Sequence, residues 1–140
     1  MLFQGLNLQL KGGQGLRVVG ANGSGKTTLL RAIAGLSQRF DGEISWCGER
    51  ATSFNSTLKS DLLYFGHAPG IKTTLTALEN LNWWQLLNLS KPRDTEYLIK
   101  ALEAIGLSDY IHSPCHQLSA GQQRRVALAR LLINNHRLWI

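Results

Sequence analysis

The sequence predicts an α/β fold, and three observations predict it. A β-branched apolar run, a glycine-rich loop and a helical stretch follow one another over residues 16–35. Leu6, Leu8 and Leu10 alternate with Asn7 and Gln9, the period-two pattern of a strand with one buried face. Further on, capping boxes at Thr76 and Ser119 open stretches of helical apolar spacing.

The first of these carries chemistry. Leu16-Arg17-Val18-Val19 suits a buried strand, and Gly20-Ala21-Asn22-Gly23-Ser24-Gly25-Lys26-Thr27 follows in the pattern G-x-x-x-x-G-K-[ST]. Thr27-Thr28-Leu29-Leu30-Arg31-Ala32-Ile33-Ala34 then suits a helix, with Gly35 as its left-handed terminator. Glycines at 20, 23 and 25 let the backbone curl until several N–H groups face one anion, where a side chain would stand in the way. The helix start adds its own unsatisfied amides and positive dipole end. Lys26 supplies a mobile charge for the β- and γ-phosphates, and the Thr27 hydroxyl suits Mg²⁺. The nucleotide-binding set is therefore Gly20, Ala21, Asn22, Gly23, Ser24, Gly25, Lys26, Thr27 and Thr28. A chance match to the pattern is expected about once in two hundred chains of this length at average residue usage, and the flanking strand and helix make chance rarer still.

Composition bounds the alternatives. A chain of 140 residues with 44% hydrophobic and 17% charged residues is read as one globular domain with a real core. Arg130 interrupts even the apolar stretch 126–133, so no run approaches a membrane span, and the N-terminus lacks a basic-then-apolar signal. The cytoplasm is the default compartment. Cys47 and Cys115 form no C-x-x-C pair and read as reduced thiols. The net charge of +6 fits a nucleic acid or an anionic membrane in principle, but the basic residues are scattered. Phosphate chemistry plus a solvated surface is the favoured account.

The remaining elements follow in order. Lys11-Gly12-Gly13 supplies a turn; Asp41-Gly42 makes another before a short strand at Glu43-Ile44-Ser45-Trp46. Residues 47–60 receive no role. Leu62-Leu63-Tyr64-Phe65 is a third strand, ending at Gly66-His67. Thr76-Ala77-Leu78-Glu79 opens a helix to about Asn88, with Leu78, Leu81, Trp84 or Gln85, and Leu87 down one side. Pro92 is placed in the first turn of the next helix, whose apolar positions include Leu98, Ala101, Leu102 and Ile105 and which Gly106 ends. Of the adjacent Trp83 and Trp84, one is expected in the core and the other on a partner-facing surface. His112-x-x-x-His116, with Cys115 between, can be drawn as a ligand set, but Ser113-Pro114 spoils helical i,i+4 geometry and structural or exposed roles are expected.

Leu118-Ser119-Ala120-Gly121-Gln122 starts a helix running through Val126, Leu128, Ala129 and Leu132. Ala120 and Gly121 are small and leave the first-turn amides uncovered, which suits a second phosphate. Taken alone, this stretch is better explained as an ordinary capped helix, because capping boxes are common.

Together, G-x-x-x-x-G-K-T and, about ninety residues on, L-S-A-G-Q-Q-R-R-V-A-L-A-R resemble the ATP-binding subunits of ABC transporters. Ala120 stands where that family usually has glycine. Gly66-His67-Ala68-Pro69-Gly70 and Leu75-Thr76-Ala77-Leu78-Glu79-Asn80-Leu81 resemble the family's coupling segment, with His67 where a glutamine is usual. With Gln122-Gln123-Arg124-Arg125 and Trp46-Cys47-Gly48, they are similar to the cytochrome c maturation subset, which serves haem export.

The resemblance implies a P-loop NTPase core with a mainly parallel sheet, antiparallel N-terminal strands and a helical subdomain near 70–115. It implies ATP and Mg²⁺ as cofactors, with Lys26 and His67 in the catalytic set, His67 near water or Mg²⁺, and Thr27 as metal ligand. It further implies that Ser119, Gly121 and Gln122 close on nucleotide held by a second copy of the chain. Integral-membrane transporter subunits are the other expected partners, with nucleic acid not among them, at the inner face of the cell inner membrane. Another ABC importer or exporter, a nucleic-acid-related ABC ATPase and a non-catalytic nucleotide-binding module are the alternatives. The family's Mg²⁺-positioning aspartate, catalytic glutamate and switch histidine are expected after Ile140 and its adenine-stacking aromatic before Met1, with Phe3 a little too close to Lys26 for that role. The chain accordingly reads as a fragment that by itself hydrolyses ATP poorly.

Overall fold

The computed structural model describes residues 4–37, 40–51 and 57–140. Phe3 and part of the 47–60 stretch lie outside the described residues. Two units are distinguished: Met1–Tyr64 with Leu138–Ile140, and Phe65–Arg137.

In the first unit, helix α1 (Lys26–Ile33) follows the glycine loop directly. Gly35 adopts φ +70° and its amide donates to Ala32, while Leu36 donates back to Arg31, which ends the helix as predicted. The turn after residue 10 also forms, with Gln14 N–H donating to the Lys11 carbonyl at 3.1 Å. The strands predicted on either side of that turn do not. Residues 6–10 and 16–19 belong to no ladder, and Leu6, Leu8, Leu10, Leu16 and Val19 are exposed. Alternation marks a segment that suits a sheet, but a strand exists only where a neighbour takes up its backbone groups.

The strands that do form are short. β1 (Ser45–Trp46) and β2 (Glu49–Arg50) pair antiparallel, with Ser45 opposite Arg50 and Trp46 opposite Glu49. Their two-residue turn has φ +53° at Cys47 and +84° at Gly48, the doubly left-handed form that matches strand twist. Sequence reading missed this hairpin because cysteine is an unusual residue for the first turn position. It also missed α2 (Thr57–Asp61), where the Asp61 carboxylate accepts from the Trp46 indole N–H at 2.8 Å. β3 (Leu62–Leu63) pairs parallel with β4 (Leu138–Trp139), and Ile140 N–H donates to the Leu63 carbonyl. The observed ladders are thus one antiparallel and one parallel pair among the described residues.

The second unit is helical. The capping box at Thr76 forms in both directions and opens α3 (Ala77–Asn88): Glu79 N–H donates to Thr76 Oγ1 at 3.2 Å, and Thr76 N–H to Glu79 Oε2 at 2.8 Å. These bonds to the Thr76 amide and hydroxyl hold the Glu79 carboxyl below its usual range. Helix α4 (Thr95–Ala104) begins later than predicted, with Asp94 as its N-cap accepting from Tyr97 N–H at 2.8 Å. Pro92 lies outside it, because buried Gln85 clamps Arg93 by both backbone groups (Arg93 N–H to Oε1 at 2.8 Å, Nε2 to the Arg93 carbonyl at 3.0 Å) and leaves helix initiation to Asp94. Gly106, at φ +73°, follows the helix end as expected. Two 3₁₀ turns (Ser108–Tyr110 and Cys115–Gln117) lead to α5 (Ala120–Leu128), which passes through Ala129 into α6 (Arg130–Ile133). Residues 70–115, where the resemblance implies a helical subdomain, lie within the span of this unit.

Leu81, Leu98, Leu102, Leu107, Val126 and Ile133 form its dry centre, each at most 1% exposed. Leu87, predicted on the buried face of α3, is exposed instead, and Asn80 and Gln85 are buried. The two polar side chains are inside because they satisfy loop backbone. Asn80 Oδ1 accepts from Lys72 N–H at 2.7 Å, and its Nδ2 faces the carbonyls of Lys72, Leu75 and Thr76 and the Cys115 thiol. Replacing Asn80 with leucine keeps the branched shape but orphans these backbone groups. Asn80→Leu should lower the unfolding free energy by about 2–4 kcal/mol, read from urea denaturation; an unchanged midpoint would contradict this assignment.

Candidate nucleotide-binding site

The glycine loop takes the shape its spelling predicts. Gly23 and Gly25 sit at φ +82° and +91°, and Ser24 N–H closes a turn on the Ala21 carbonyl at 3.2 Å. A Cβ on Gly20 would lie 2.7 Å from Ser24 Oγ, so the loop folds back on itself more tightly than a side chain there permits. Gly25 is the N-cap of α1, and no side chain caps the helix. The amides of Lys26, Thr27 and Thr28 accordingly find no acceptor among the described residues. Loop and helix start are open to solvent, with Asn22, Gly23, Thr27 and Thr28 all exposed.

Lys26 folds over the loop it ends. Its Nζ donates to the Gly20 and Ala21 carbonyls, each at 2.7 Å. An ammonium has three donors, so one remains for a ligand. The pose turns the ammonium on the loop's carbonyls and leaves its amides for an anion, a division suited to a polyphosphate. The Thr27 hydroxyl has no partner among the described residues and stands at the first turn, in keeping with a ligand to a phosphate-bound divalent cation.

The second helix start lies in the other unit. Ser119 caps α5 reciprocally with Gln122: Gln122 N–H donates to Ser119 Oγ at 3.2 Å, and Ser119 N–H to Gln122 Oε1 at 2.8 Å. Ser119, Ala120 and Gly121 are exposed. The Ser119 hydroxyl accepts in this box and keeps its own proton to donate, and the Gln122 amide nitrogen is likewise uncommitted. Gln123, next along, is used internally: its Nε2 donates to the Cys115 and Leu118 carbonyls and fixes the approach to the helix.

His67 lies exposed in the loop between β3 and α3. The chain around it is shaped by Gly70, at φ +62°, and by Arg130, whose guanidinium donates to the carbonyls of Pro69 (3.3 Å) and Gly70 (2.8 Å). Sequence reading treated Arg130 only as an interruption of an apolar stretch. The missed signal was that interruption itself: an arginine amid buried positions needs acceptors. Of the adjacent tryptophans at 83 and 84, Trp84 is buried and Trp83 exposed, with Lys72 Nζ 5.3 Å from the centre of the Trp83 ring. His112, Cys115 and His116 do not converge. Cys115 is fully buried, which pushes its thiol pKa up against the opposing Asn80 bond, while His116 Nδ1 lies 3.2 Å from the Thr73 carbonyl and His112 is exposed.

A glycine loop with free amides at a helix start and a lysine above it defines a P-loop nucleotide-binding protein. The sequence matches the ABC transporter family over residues 3–140, and the chain belongs to that family. It is 48% identical over 140 residues to the cytochrome c biogenesis ATP-binding export protein CcmA of Pseudomonas fluorescens, covering all of this chain and 65% of that protein. The Escherichia coli K12 protein of the same name is 46% identical over 139 residues, again across 65% of its length. The chain thus spans just under two thirds of these curated relatives. Among solved structures, an ABC transporter ATP-binding protein from Pyrococcus furiosus superposes with a TM-score of 0.74 at 28% identity, over 86% of this chain and 57% of that one. The ATP-binding cassette MJ0796, in a dimeric post-hydrolysis state bound to ADP and Pi, superposes with a TM-score of 0.76 at 26% identity, over 92% and 60%. The α/β P-loop fold expected from the sequence is therefore that of ABC ATPase domains.

Removing the ammonium should weaken nucleotide binding while leaving the loop's amides in place. Lys26→Ala is expected to raise the Kd for ATP at least tenfold, about 1.4 kcal/mol, in a fluorescent-nucleotide displacement assay. Unchanged affinity would show that the loop does not grip the phosphates.

Proposed function

We propose that these residues are the nucleotide-binding part of an ATPase subunit that energises an ABC-type membrane complex, the haem exporter of cytochrome c maturation. The observation that carries the reading is identity of 48% across the whole chain to a protein named as a cytochrome c biogenesis ATP-binding export protein. The amides of Lys26, Thr27 and Thr28, which find no acceptor among the described residues, support it physically, because unsatisfied amides at a helix start suit a phosphate.

In this reading the loop amides and Lys26 hold the β- and γ-phosphates, and Thr27 holds the divalent cation. Mg²⁺, when bound, neutralises charge on the phosphate oxygens. Ser119, Gly121 and Gln122 of a second copy meet the same nucleotide from the opposite side. Binding favours the closed pair and hydrolysis releases it, so the free energy of nucleotide binding becomes movement. In the same reading His67 stands where the family usually has glutamine and contacts the attacking water or the cation, or passes the motion on. The complex stands at the inner face of the cell inner membrane with integral-membrane subunits as partners; no helix among the described residues is long and apolar enough to cross a membrane. Residues 1–140 alone bind ATP in this reading and turn it over slowly.

The test is recovery of the tagged full-length protein from solubilised membranes. Small integral-membrane partners together with haem-handling proteins should accompany it, and haem-dependent cytochrome assembly should fail when Lys26 is replaced by alanine. Recovery with DNA, or with a transporter of unrelated cargo, would overturn the assignment.

A further inference from the structure

Arg130 is 8% exposed, and the polar contacts of its side chain are the Pro69 and Gly70 carbonyls, at 3.3 and 2.8 Å. Its guanidinium also lies 5.8 Å from the centre of the Trp84 ring. No carboxylate pairs with it among the described residues, and burial lowers its pKa. A buried cation that neutralises no acid is costly unless its hydrogen bonds are needed. Packing alone would be served by methionine or leucine. What a guanidinium adds is a rigid planar fork that fixes two neighbouring acceptors at once.

The two acceptors matter because of where they lie. Pro69 and Gly70 follow His67 by two and three residues, and Gly70 is held left-handed at φ +62°. Arg130 in turn opens α6, which continues α5 through Ala129 in right-handed helical geometry (φ −56°, ψ −24°). Ser119 and the His67 loop are therefore the two ends of one connection: cap, helix, guanidinium, loop carbonyls. All of it lies within the second unit.

We infer that Arg130 is a positioning residue which ties the orientation of the His67 loop to the helix that starts at Ser119. When Ser119 engages nucleotide, the displacement of α5 and α6 is carried to Pro69 and Gly70 by the fork, and His67 is aligned with it. This rests on the nucleotide-sandwich reading above, and it assigns a route within one subunit that the reading does not require.

A double-mutant cycle on the full-length ATPase tests it, using Arg130→Met, Arg130→Lys and His67→Ala. Arg130→Met should lower kcat about tenfold while moving the KM for ATP less than twofold, since the phosphate loop is untouched. Lysine keeps the charge and reaches one carbonyl, and should restore part of the loss. In the His67→Ala background the same Arg130→Met change should have little further effect on kcat. Equal losses with and without His67, or a loss matched by a fall in folded protein, would assign Arg130 a purely structural role and overturn the inference. Failure of the underlying reading shows separately, as turnover that survives Lys26→Ala.

Discussion

An α-helix cannot satisfy its own first amides, and both anion sites proposed for this chain are built on that constraint. At α1 the cap position is Gly25, which has no side chain to offer, and no group among the described residues takes up the amides of Lys26 to Thr28. At α5 the cap is a reciprocal serine–glutamine box that leaves a hydroxyl proton and a side-chain amide available. One start is bare and the other capped. The contrast suits a tight cradle at the first and a reversible contact at the second.

The helical unit shows how such a start is held in place. Beside its apolar centre it holds three buried polar side chains, Asn80, Gln85 and Arg130. Each is spent on backbone groups of irregular segments: Asn80 on residues 72–76, Gln85 on Arg93, Arg130 on Pro69 and Gly70. Loops buried against helices carry amides and carbonyls that need partners, and side chains reaching from helices provide them. This fixes the loop around His67 without regular secondary structure.

Local chemistry was legible in the sequence and pairing was not. The phosphate loop, the helix beginning at its end, both capping boxes and the left-handed Gly35 and Gly106 follow from residue types at fixed short spacings. Residues 6–10 and 16–19 show the limit: alternation and β-branching are present, but strand formation depends on a distant neighbour that no short window reveals. Pro92 and Leu87 went astray for a related reason. Gln85 reaches eight residues along the chain to hold Arg93, and that contact moved the helix start to Asp94. The contacts of Arg130 were hidden because its acceptors lie about sixty residues earlier.

In the proposed assembly two amide-rich helix starts, one from each of two copies, hold one triphosphate between them. Sedimentation of the full-length protein with ATP under conditions that block hydrolysis tests this most directly. The account predicts a nucleotide-dependent dimer that is lost in Ser119→Phe while that variant's monomer still binds ATP. A protein that binds ATP tightly yet stays monomeric, or a dimer indifferent to both nucleotide and Ser119, would contradict it.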